Sequence, residues 1–175
     1  SSGRAFVWLK RKLSPRQKWA VNALGVPALQ FKDEEERLYP QGRLAAHVLG
    51  HVNIDGEGKG GVEHFFDSSL QVKTAGKPLQ LSLDMRVQYA LADELSSAMS
   101  AFQAAGAAGM VMDVNSGEVV AMVSLPDYDP NSLRGASEDA LFNRVTRGVY
   151  ELGSSLKTFT FAAALDQKIV DFDDT

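Results

Sequence analysis

The amino-acid sequence predicts an α+β fold, and three patterns along the chain support this prediction. Up to about residue 80, prolines and glycines recur every few residues, so helices in this part should be short. The patterns lengthen from Leu81: an amphipathic helical pattern starts at Asp84, and two short apolar runs flank a turn sequence after it. With 175 residues, the chain is long enough for one ordinary domain, or for a small module plus part of another.

Three short helices are predicted in the first 80 residues. Ser14 and Pro15 are a typical helix cap and first helical residue, and the helix that continues through 16–24 should stop at Gly25. The ranges Arg43–Leu49 and Val62–Leu70 are the other two candidates.

Longer elements are predicted beyond residue 80. A helix should start at Asp84, because apolar residues recur every three or four positions from Val87 to Phe102. The runs Gly109–Val114 and Val119–Ser124, joined by a turn sequence, predict a strand hairpin that packs against this helix. Residues 125–131 contain two prolines and should leave the sheet as a loop.

A last helix is predicted from Ser154 to Leu165. Its apolar residues occupy most of the circumference, which is typical of a buried helix. The Gly153-Ser154-Ser155 sequence before it should supply turn and cap chemistry.

Composition excludes several classes of function. The net charge of −4 and a pI near 5.4 provide no basic field for nucleic acid. The absence of cysteine excludes disulfides, thiolate nucleophiles and cysteine-ligated zinc. No apolar run approaches the roughly 20 residues of a spanning helix, and the chain starts at Ser1, so we expect a soluble piece of a longer protein.

One basic cluster, Lys10-Arg11-Lys12, is interleaved with Phe6, Trp8 and Leu13. Such a segment can lie against a membrane surface or another protein, or it can form a solvated helical face. The sequence leaves these interpretations open.

Metal and phosphate sites are not expected. His47 and His51 have the i, i+4 spacing of zinc ligands, but no acidic residue completes a known motif, and packing or solvent exposure is favoured. The glycine-rich stretch Gly56–Gly61 follows no strand and indicates a tight turn. Asp55 and Glu57 lack the rest of a calcium-binding loop.

Ser154 and Lys157 form the pair that could carry chemistry. They are three residues apart at a predicted helix start, and residues at this spacing lie on one helix face. Serine needs a base to act as a nucleophile, and a lysine with a lowered pKa can be that base. Backbone N–H groups at a helix start can stabilise an oxyanion. Taken alone, S-x-x-K is a weak signal, because so short a pattern recurs by chance, and the motif by itself favours a plain helix cap at Ser154 with a solvated Lys157.

The run Asn143–Thr160 begins with N-R and continues to Y-E-L-G-S-S-L-K. It resembles the nucleophile segment of class B penicillin-binding proteins of the cell-division type, which reads N-R and then Y/F-E-P-G-S-x-x-K. Gly109–Pro126 resembles their hairpin, and Ser124–Asn131 their S-x-P-x-Y/F-D-P-N stretch. Arg37–Leu70 resembles their R-x-Y-P-x-G-x-x-A-A-H-x-x-G segment followed by G-x-x-G-V-E-x-x-F-D.

The resemblance implies a fold, a reaction and a location. Residues 1–80 would belong to the elongated non-catalytic pedestal of the family, and residues 81–175 to the N-terminal half of a β-lactamase-like transpeptidase domain. Ser154 would attack the D-Ala-D-Ala carbonyl of peptidoglycan stem peptides and would donate its backbone N–H to the oxyanion. Lys157 would be the general base. No cofactor is implied.

β-Lactams would trap the same serine. The family also implies an enzyme at the periplasmic face of the bacterial inner membrane, held by an anchor that this chain does not include. There it would work with other cell-division membrane proteins.

The sequence departs from the family pattern in three places. Leu152 replaces the proline before Gly-Ser, and the interval between Leu70 and Leu81 is short. No S-x-N or K-[ST]-G motif follows Ser154, and Lys73–Gly76 only superficially resembles the latter. We therefore expect an incomplete, inactive portion of the enzyme that associates with another copy or fragment. A serine β-lactamase, a β-lactam sensor and a non-catalytic assembly module remain alternatives.

Overall fold

The computed structural model describes residues 6–71 and 78–173. Eight α-helices, two strands and two 3₁₀ turns are assigned within these ranges. The first part holds α1 (Pro15–Asn22), a 3₁₀ turn (Gly42–Ala45), α2 (Ala46–Leu49), α3 (Gly61–Phe65) and α4 (Asp67–Gln71). The second part holds α5 (Met85–Ala101), β1 (Ala107–Met112), β2 (Val119–Leu125), α6 (Glu138–Leu141), α7 (Arg144–Arg147), a 3₁₀ turn (Gly153–Leu156) and α8 (Lys157–Asp166).

Helix α1 begins where the sequence predicts. The Ser14 hydroxyl accepts a hydrogen bond from the Gln17 backbone N–H, and the Gln17 side chain accepts one from the Ser14 N–H. This reciprocal pair satisfies two N–H groups that the helix cannot satisfy itself. The helix ends at Asn22, and Gly25 beyond it adopts a φ of 61°.

The basic cluster near the N-terminus is paired within the chain. Arg11 Nε donates to Glu34 at 2.9 Å, and Lys12 Nζ donates to Glu36 at 2.7 Å. Arg11 also contacts Asp55. The acidic stretch 33–36 therefore neutralises much of the charge that the sequence offered for a membrane or protein surface.

The hairpin packs on α5, as the sequence predicts. Strands β1 and β2 are antiparallel, with Gly109 opposite Val123 and an irregularity between Val111 and Met112. A Cβ atom at Gly109 would lie only 3.1 Å from the Leu95 side chain, so the helix packs directly onto the strand backbone at this point. Asp84 caps α5 by accepting from the Arg86 N–H, which confirms the predicted helix start.

Gln88 is the largest fully buried side chain in the described part of the chain. Its Nε2 donates to the carbonyls of Leu44 and Met122, at 2.8 and 2.7 Å, and its Oε1 accepts from the Met122 N–H at 2.9 Å. The Asp84 N–H donates to the Val120 carbonyl nearby. The start of α5 therefore satisfies the edge of β2 that β1 leaves open, where unpaired backbone groups would otherwise be exposed.

Glycines allow the segment 58–61 to pack against the end of α2. Gly50 has a φ of 79°, and a Cβ there would lie 1.7 Å from the Gly60 carbonyl oxygen. A Cβ at Gly61 would lie 2.3 Å from the Val48 carbonyl oxygen. Only glycine fits such backbone contacts. The later part of the glycine-rich stretch is thus a close backbone crossing, and a turn lies at its first residue, where the Gly56 N–H donates to the Asn53 carbonyl at 3.1 Å.

A buried carboxylate follows this crossing. Glu63 is 5% exposed and accepts from Arg37 Nε at 2.6 Å. Burial alone would lower the pKa of Arg37, but the hydrogen bond and charge of Glu63 raise it. Burial and the Glu63 charge raise the pKa of Tyr39 to about 12. The R-x-Y and G-V-E motifs thus meet in one cluster.

The helix predicted over Val62–Leu70 is wrong as a single element. It is broken at Phe66 into α3 and α4. Asp67 accepts a hydrogen bond from the Gly58 N–H at 2.7 Å, and α4 starts from this anchored residue. The break in this locally continuous helical pattern therefore lies next to a contact between residues nine positions apart.

Several hydrogen bonds join the first 80 residues to the rest of the chain. The Tyr128 hydroxyl donates to the Ala46 carbonyl at 3.0 Å. Asn131 bonds both the N–H and the carbonyl of Tyr39, at 2.8 and 3.0 Å. These bonds hold residues 39–46 against the loop that follows β2. The division of the chain near residue 80 stays a prediction.

Two further predictions concern residues that the structure does not describe. The whole of Lys73–Gly76, and residues 72–77 of the short interval between Leu70 and Leu81, lie outside the described residues. Within the described ranges, none of the helices combines the length and apolar character needed to cross a bilayer.

Candidate active site

The segment that leads to Ser154 is fastened to the end of β2. The Ser124 side chain, in a residue only 2% exposed, donates to the Phe142 carbonyl at 3.2 Å and accepts from the Arg144 N–H at 2.9 Å. The side-chain oxygen of Asn143 accepts from the N–H groups of Val145 and Thr146, at 3.0 and 3.2 Å. Together these side chains satisfy the first three N–H groups of α7.

The Arg144 side chain fixes the same segment from its other side. Its guanidinium is paired with Asp139 through both the carboxylate and the backbone carbonyl. A Cβ at Gly106 would lie 2.4 Å from Arg144 Nε, so the arginine stem lies directly against that glycine. The N-R pair of the family motif therefore anchors the chain by caps and ion pairs.

Tyr150 connects α7 to the nucleophile turn. Its hydroxyl donates to the Arg144 carbonyl at 3.2 Å, and its ring lies over Gly148, where a Cβ would meet the ring at 2.5 Å. Ser154 follows four residues later. The connector is thus folded back on α7 before the turn begins.

Ser154 lies in the 3₁₀ turn, and Lys157 is the first residue of α8. Gly153, just before the serine, has a φ of 53° and open space around the position of a Cβ. Glycine is thus required here by backbone conformation rather than by crowding. The Lys157 N–H donates to the carbonyls of Ser154 and Ser155. Serine and lysine therefore occupy successive turns of one continuous helical segment.

The predicted burial of this helix is wrong for the structure described. Ser154 and Lys157 are exposed, as are Phe159 and Phe161, at 68% and 61% of their surface. Helix α8 packs mainly against the turn that precedes it. Apolar residues around most of the helix predict that other elements pack over it, but a sequence pattern cannot show whether those elements are present.

The predicted cap is also wrong. The residue before α8 is Leu156, and no side chain caps either the 3₁₀ turn or α8. Among the hydrogen bonds of the described residues, none joins the Ser154 hydroxyl to Lys157. The serine hydroxyl is therefore not used as a helix cap.

His47 and His51 are held against Tyr128. Their rings meet the tyrosine ring edge-on, with centroids 5.1 and 5.7 Å away. Burial lowers the pKa of both imidazoles. In the described ranges, no group of three potential ligands is placed to hold a metal ion. Both histidines line a groove of about 540 Å³ that also includes Phe65 and Arg147.

Sequence reasoning missed Ser124, Gln88 and Tyr150 as structural determinants of this region. Two of them carried a signal. Ser124 is a polar residue within an apolar strand, and Gln88 lies beside the apolar stripe of α5. A polar residue in such a position often makes buried hydrogen bonds.

Comparison with known proteins identifies relatives of this chain. The sequence pattern of the penicillin binding protein transpeptidase domain matches residues 107–175. A probable peptidoglycan D,D-transpeptidase FtsI of Caulobacter vibrioides is 44% identical over 156 residues, which cover 88% of this chain and 26% of that protein. The peptidoglycan D,D-transpeptidase FtsI of Escherichia coli is 31% identical over 188 residues, covering 94% of this chain and 32% of that protein.

A solved structure shares the fold. Penicillin binding protein 3 of Mycobacterium tuberculosis, complexed with ampicillin, superposes with a TM-score of 0.69 at 28% identity. The match covers 81% of this chain and 33% of that chain. The chain thus spans about a quarter to a third of the length of these relatives. The fold, the motif order and these relationships agree that the chain belongs to the penicillin-binding protein transpeptidase family.

Proposed function

We propose that this chain is the nucleophile-bearing part of a septal peptidoglycan D,D-transpeptidase. The observation that carries the proposal is the position of Ser154 in the 3₁₀ turn and of Lys157 at the first residue of α8, on successive turns of one helical segment. This segment lies within the range that matches the transpeptidase domain. The relatives named FtsI support the cell-division type.

Ser154 is the nucleophile in the proposed reaction. Its Oγ attacks the carbonyl carbon of the penultimate D-alanine of a stem peptide while Lys157 accepts the hydroxyl proton. The oxyanion that forms is stabilised by the Ser154 backbone N–H and by a second donor outside this chain. The peptide C–N bond then breaks, and the terminal D-alanine leaves as an amine after taking up a proton.

The second half of the reaction releases the serine. An amine of a neighbouring strand attacks the acyl ester, the C–O bond to Ser154 breaks, and the serine oxygen regains a proton. The new amide is the crosslink. A β-lactam follows only the first half, because the opened ring stays attached and hinders the second attack.

The exposure of both residues supports an incomplete site in this chain. General-base catalysis and oxyanion stabilisation work best in a largely dry, preorganised site. The S-x-N and K-[ST]-G elements of the family are absent after Ser154. The catalytic unit is therefore the longer protein, acting on stem peptides beside other division proteins at the periplasmic membrane face. Residues 1–80 belong to its pedestal and residues 81–175 to its catalytic domain.

Labelling of the full-length protein with a fluorescent penicillin tests this proposal. Ser154→Ala should abolish the covalent adduct, and the neighbouring Ser155→Ala should retain it as a matched control. Lys157→Ala should slow acylation by at least about 100-fold, the lower end of general-base contributions. Labelling that survives in Ser154→Ala, with a normal circular dichroism spectrum, would refute the assignment.

The time course separates the proposed enzyme from its alternatives. A transpeptidase should hold the adduct for much longer than the acylation step lasts. Rapid loss of the adduct, with release of hydrolysed penicillin, would instead identify a β-lactamase. A protein that forms no adduct, although folded, would serve only in assembly.

A further inference from the structure

The Ser124 hydroxyl is the contact that fastens the nucleophile segment to the sheet. It lies at the end of β2 and bonds residues 18 and 20 positions further along the chain, Phe142 and Arg144. Its two hydrogen bonds take the place of a strand pairing at this edge, where no backbone-to-backbone bond between β2 and residues 142–144 is found among the described residues. These two side-chain hydrogen bonds therefore join this segment to β2.

The bonds made by Ser124 are protected from water. The residue is 2% exposed, so the Phe142 carbonyl and the Arg144 N–H have no ready solvent substitute at this oxygen. Leaving buried backbone groups unsatisfied is costly, and the segment would shift to find new partners. The Arg144 N–H is also the first of α7, so a shift there moves the whole helix.

The displacement would be passed on toward Ser154. Arg144 is the first residue of α7, and its carbonyl accepts a hydrogen bond from the Tyr150 hydroxyl at 3.2 Å. Tyr150 in turn is four residues from the serine. The path from Ser124 through Arg144 and Tyr150 consists of hydrogen bonds and short chain segments, without a long loop that could absorb the motion.

We propose that Ser124 is a positioning residue for the nucleophile, acting through Arg144 and α7. The inference rests on the proposed transpeptidase function of Ser154. Ser124 does not touch the substrate. It fixes the distance of the Ser154 turn from the sheet, so its loss slows the acylation step more than it weakens the preceding binding of a β-lactam. A misplacement of about 1 Å can reduce a rate by about 100-fold.

The test compares Ser124→Ala with a matched control in the full-length protein. Gln88→Met removes buried hydrogen bonds from the same strand at Met122 but leaves residues 142–144 untouched. Stopped-flow acylation by a fluorescent penicillin yields the binding constant and the acylation rate constant separately. Ser124→Ala should lower the acylation rate constant by about 10- to 100-fold with the binding constant nearly unchanged.

The control and two further variants make the outcome decisive. Gln88→Met should lose stability yet acylate at the normal rate below its unfolding temperature. Ser124→Cys, which keeps a weak donor and acceptor, should recover part of the loss. If Ser124→Ala does not fold, Tyr150→Phe removes the next bond at an exposed residue and should slow acylation by about 3-fold, as expected for one net hydrogen bond.

Two results would overturn the inference. One is a normal acylation rate constant in folded Ser124→Ala or, where that variant does not fold, in Tyr150→Phe. The other is an equal loss of rate in Gln88→Met, which would assign the effect to general destabilisation. Failure of the proposed function is distinguishable, because Ser154→Ala would then still be labelled, or the parent protein would form no adduct or would lose it rapidly.

Discussion

Replacing Gln88 by methionine tests how much the buried edge of β2 depends on one side chain. Methionine has a similar length and is flexible, so it can fill the space with little strain. It cannot make the three hydrogen bonds that join Gln88 to Leu44 and Met122. The substitution therefore removes the polar contacts and largely preserves the packing.

The expected loss follows from the groups left without partners. One N–H and two carbonyls of the backbone lose their bonds to Gln88, which is 1% exposed. Each unsatisfied buried group costs about 1–3 kcal/mol, and a carbonyl is less demanding than an N–H. We expect Gln88→Met to lower the free energy of unfolding by about 3–6 kcal/mol, a large share of the total for a domain of ordinary stability.

Urea unfolding followed by circular dichroism at 222 nm measures this loss. The control is Gln41→Met, the same exchange at an exposed glutamine whose side chain makes no cap hydrogen bond. That control should change the stability by less than about 0.5 kcal/mol. A loss below about 1 kcal/mol in Gln88→Met, with an unchanged m-value, would refute the argument that these bonds hold the strand edge.

Three further predictions address backbone strain, pH and the isolated chain. Gly153→Ala should lower the free energy of unfolding, measured in urea, by about 1–2 kcal/mol, because only the left-handed backbone opposes the substitution. Gly50→Ala should lower it by about 2–6 kcal/mol, because its Cβ also meets the Gly60 carbonyl. Equal losses in the two variants would contradict this. Burial lowers the pKa of His47 from its ordinary 6.5; the charge of Asp127 opposes this shift and that of Arg144 adds to it. The stability that neutral His47 contributes is therefore complete above pH 6.5 and is lost as the pH falls toward the folded-state pKa. Urea midpoints at pH 7.5 and 5.5 should therefore differ less in His47→Gln than in the parent, and an identical pH dependence would count against this. The isolated 175-residue chain should not react with labelled penicillin, and a stoichiometric adduct at Ser154 by mass spectrometry would show that the site is complete.

The sequence by itself determined the elements that depend on local chemistry. The Ser14 cap, the Asp84 start of α5 and the hairpin follow from residue preferences within a few positions, and the structure has all three. The order of the motifs also identified the family, because several spaced patterns seldom coincide by chance. Ser154 and Lys157 were selected on the same grounds, and their roles stay a prediction.

Only the tertiary structure decided what these elements touch. The break at Phe66 lies next to a bond between Gly58 and Asp67, and the pairing of the basic cluster requires an acidic stretch more than 20 residues away. Neither contact leaves a periodic trace in the sequence.

The exposure of α8 is a second feature that the sequence could not predict. An apolar circumference reports that a helix is suited to burial, because it is a property of the helix alone. Burial itself also requires a covering layer, and that is a property of the whole assembly. The same reasoning applies to Ser124. In the sequence its hydroxyl is an ordinary polar group, and only the tertiary structure places the backbone of Phe142 and Arg144 within hydrogen-bond distance of it.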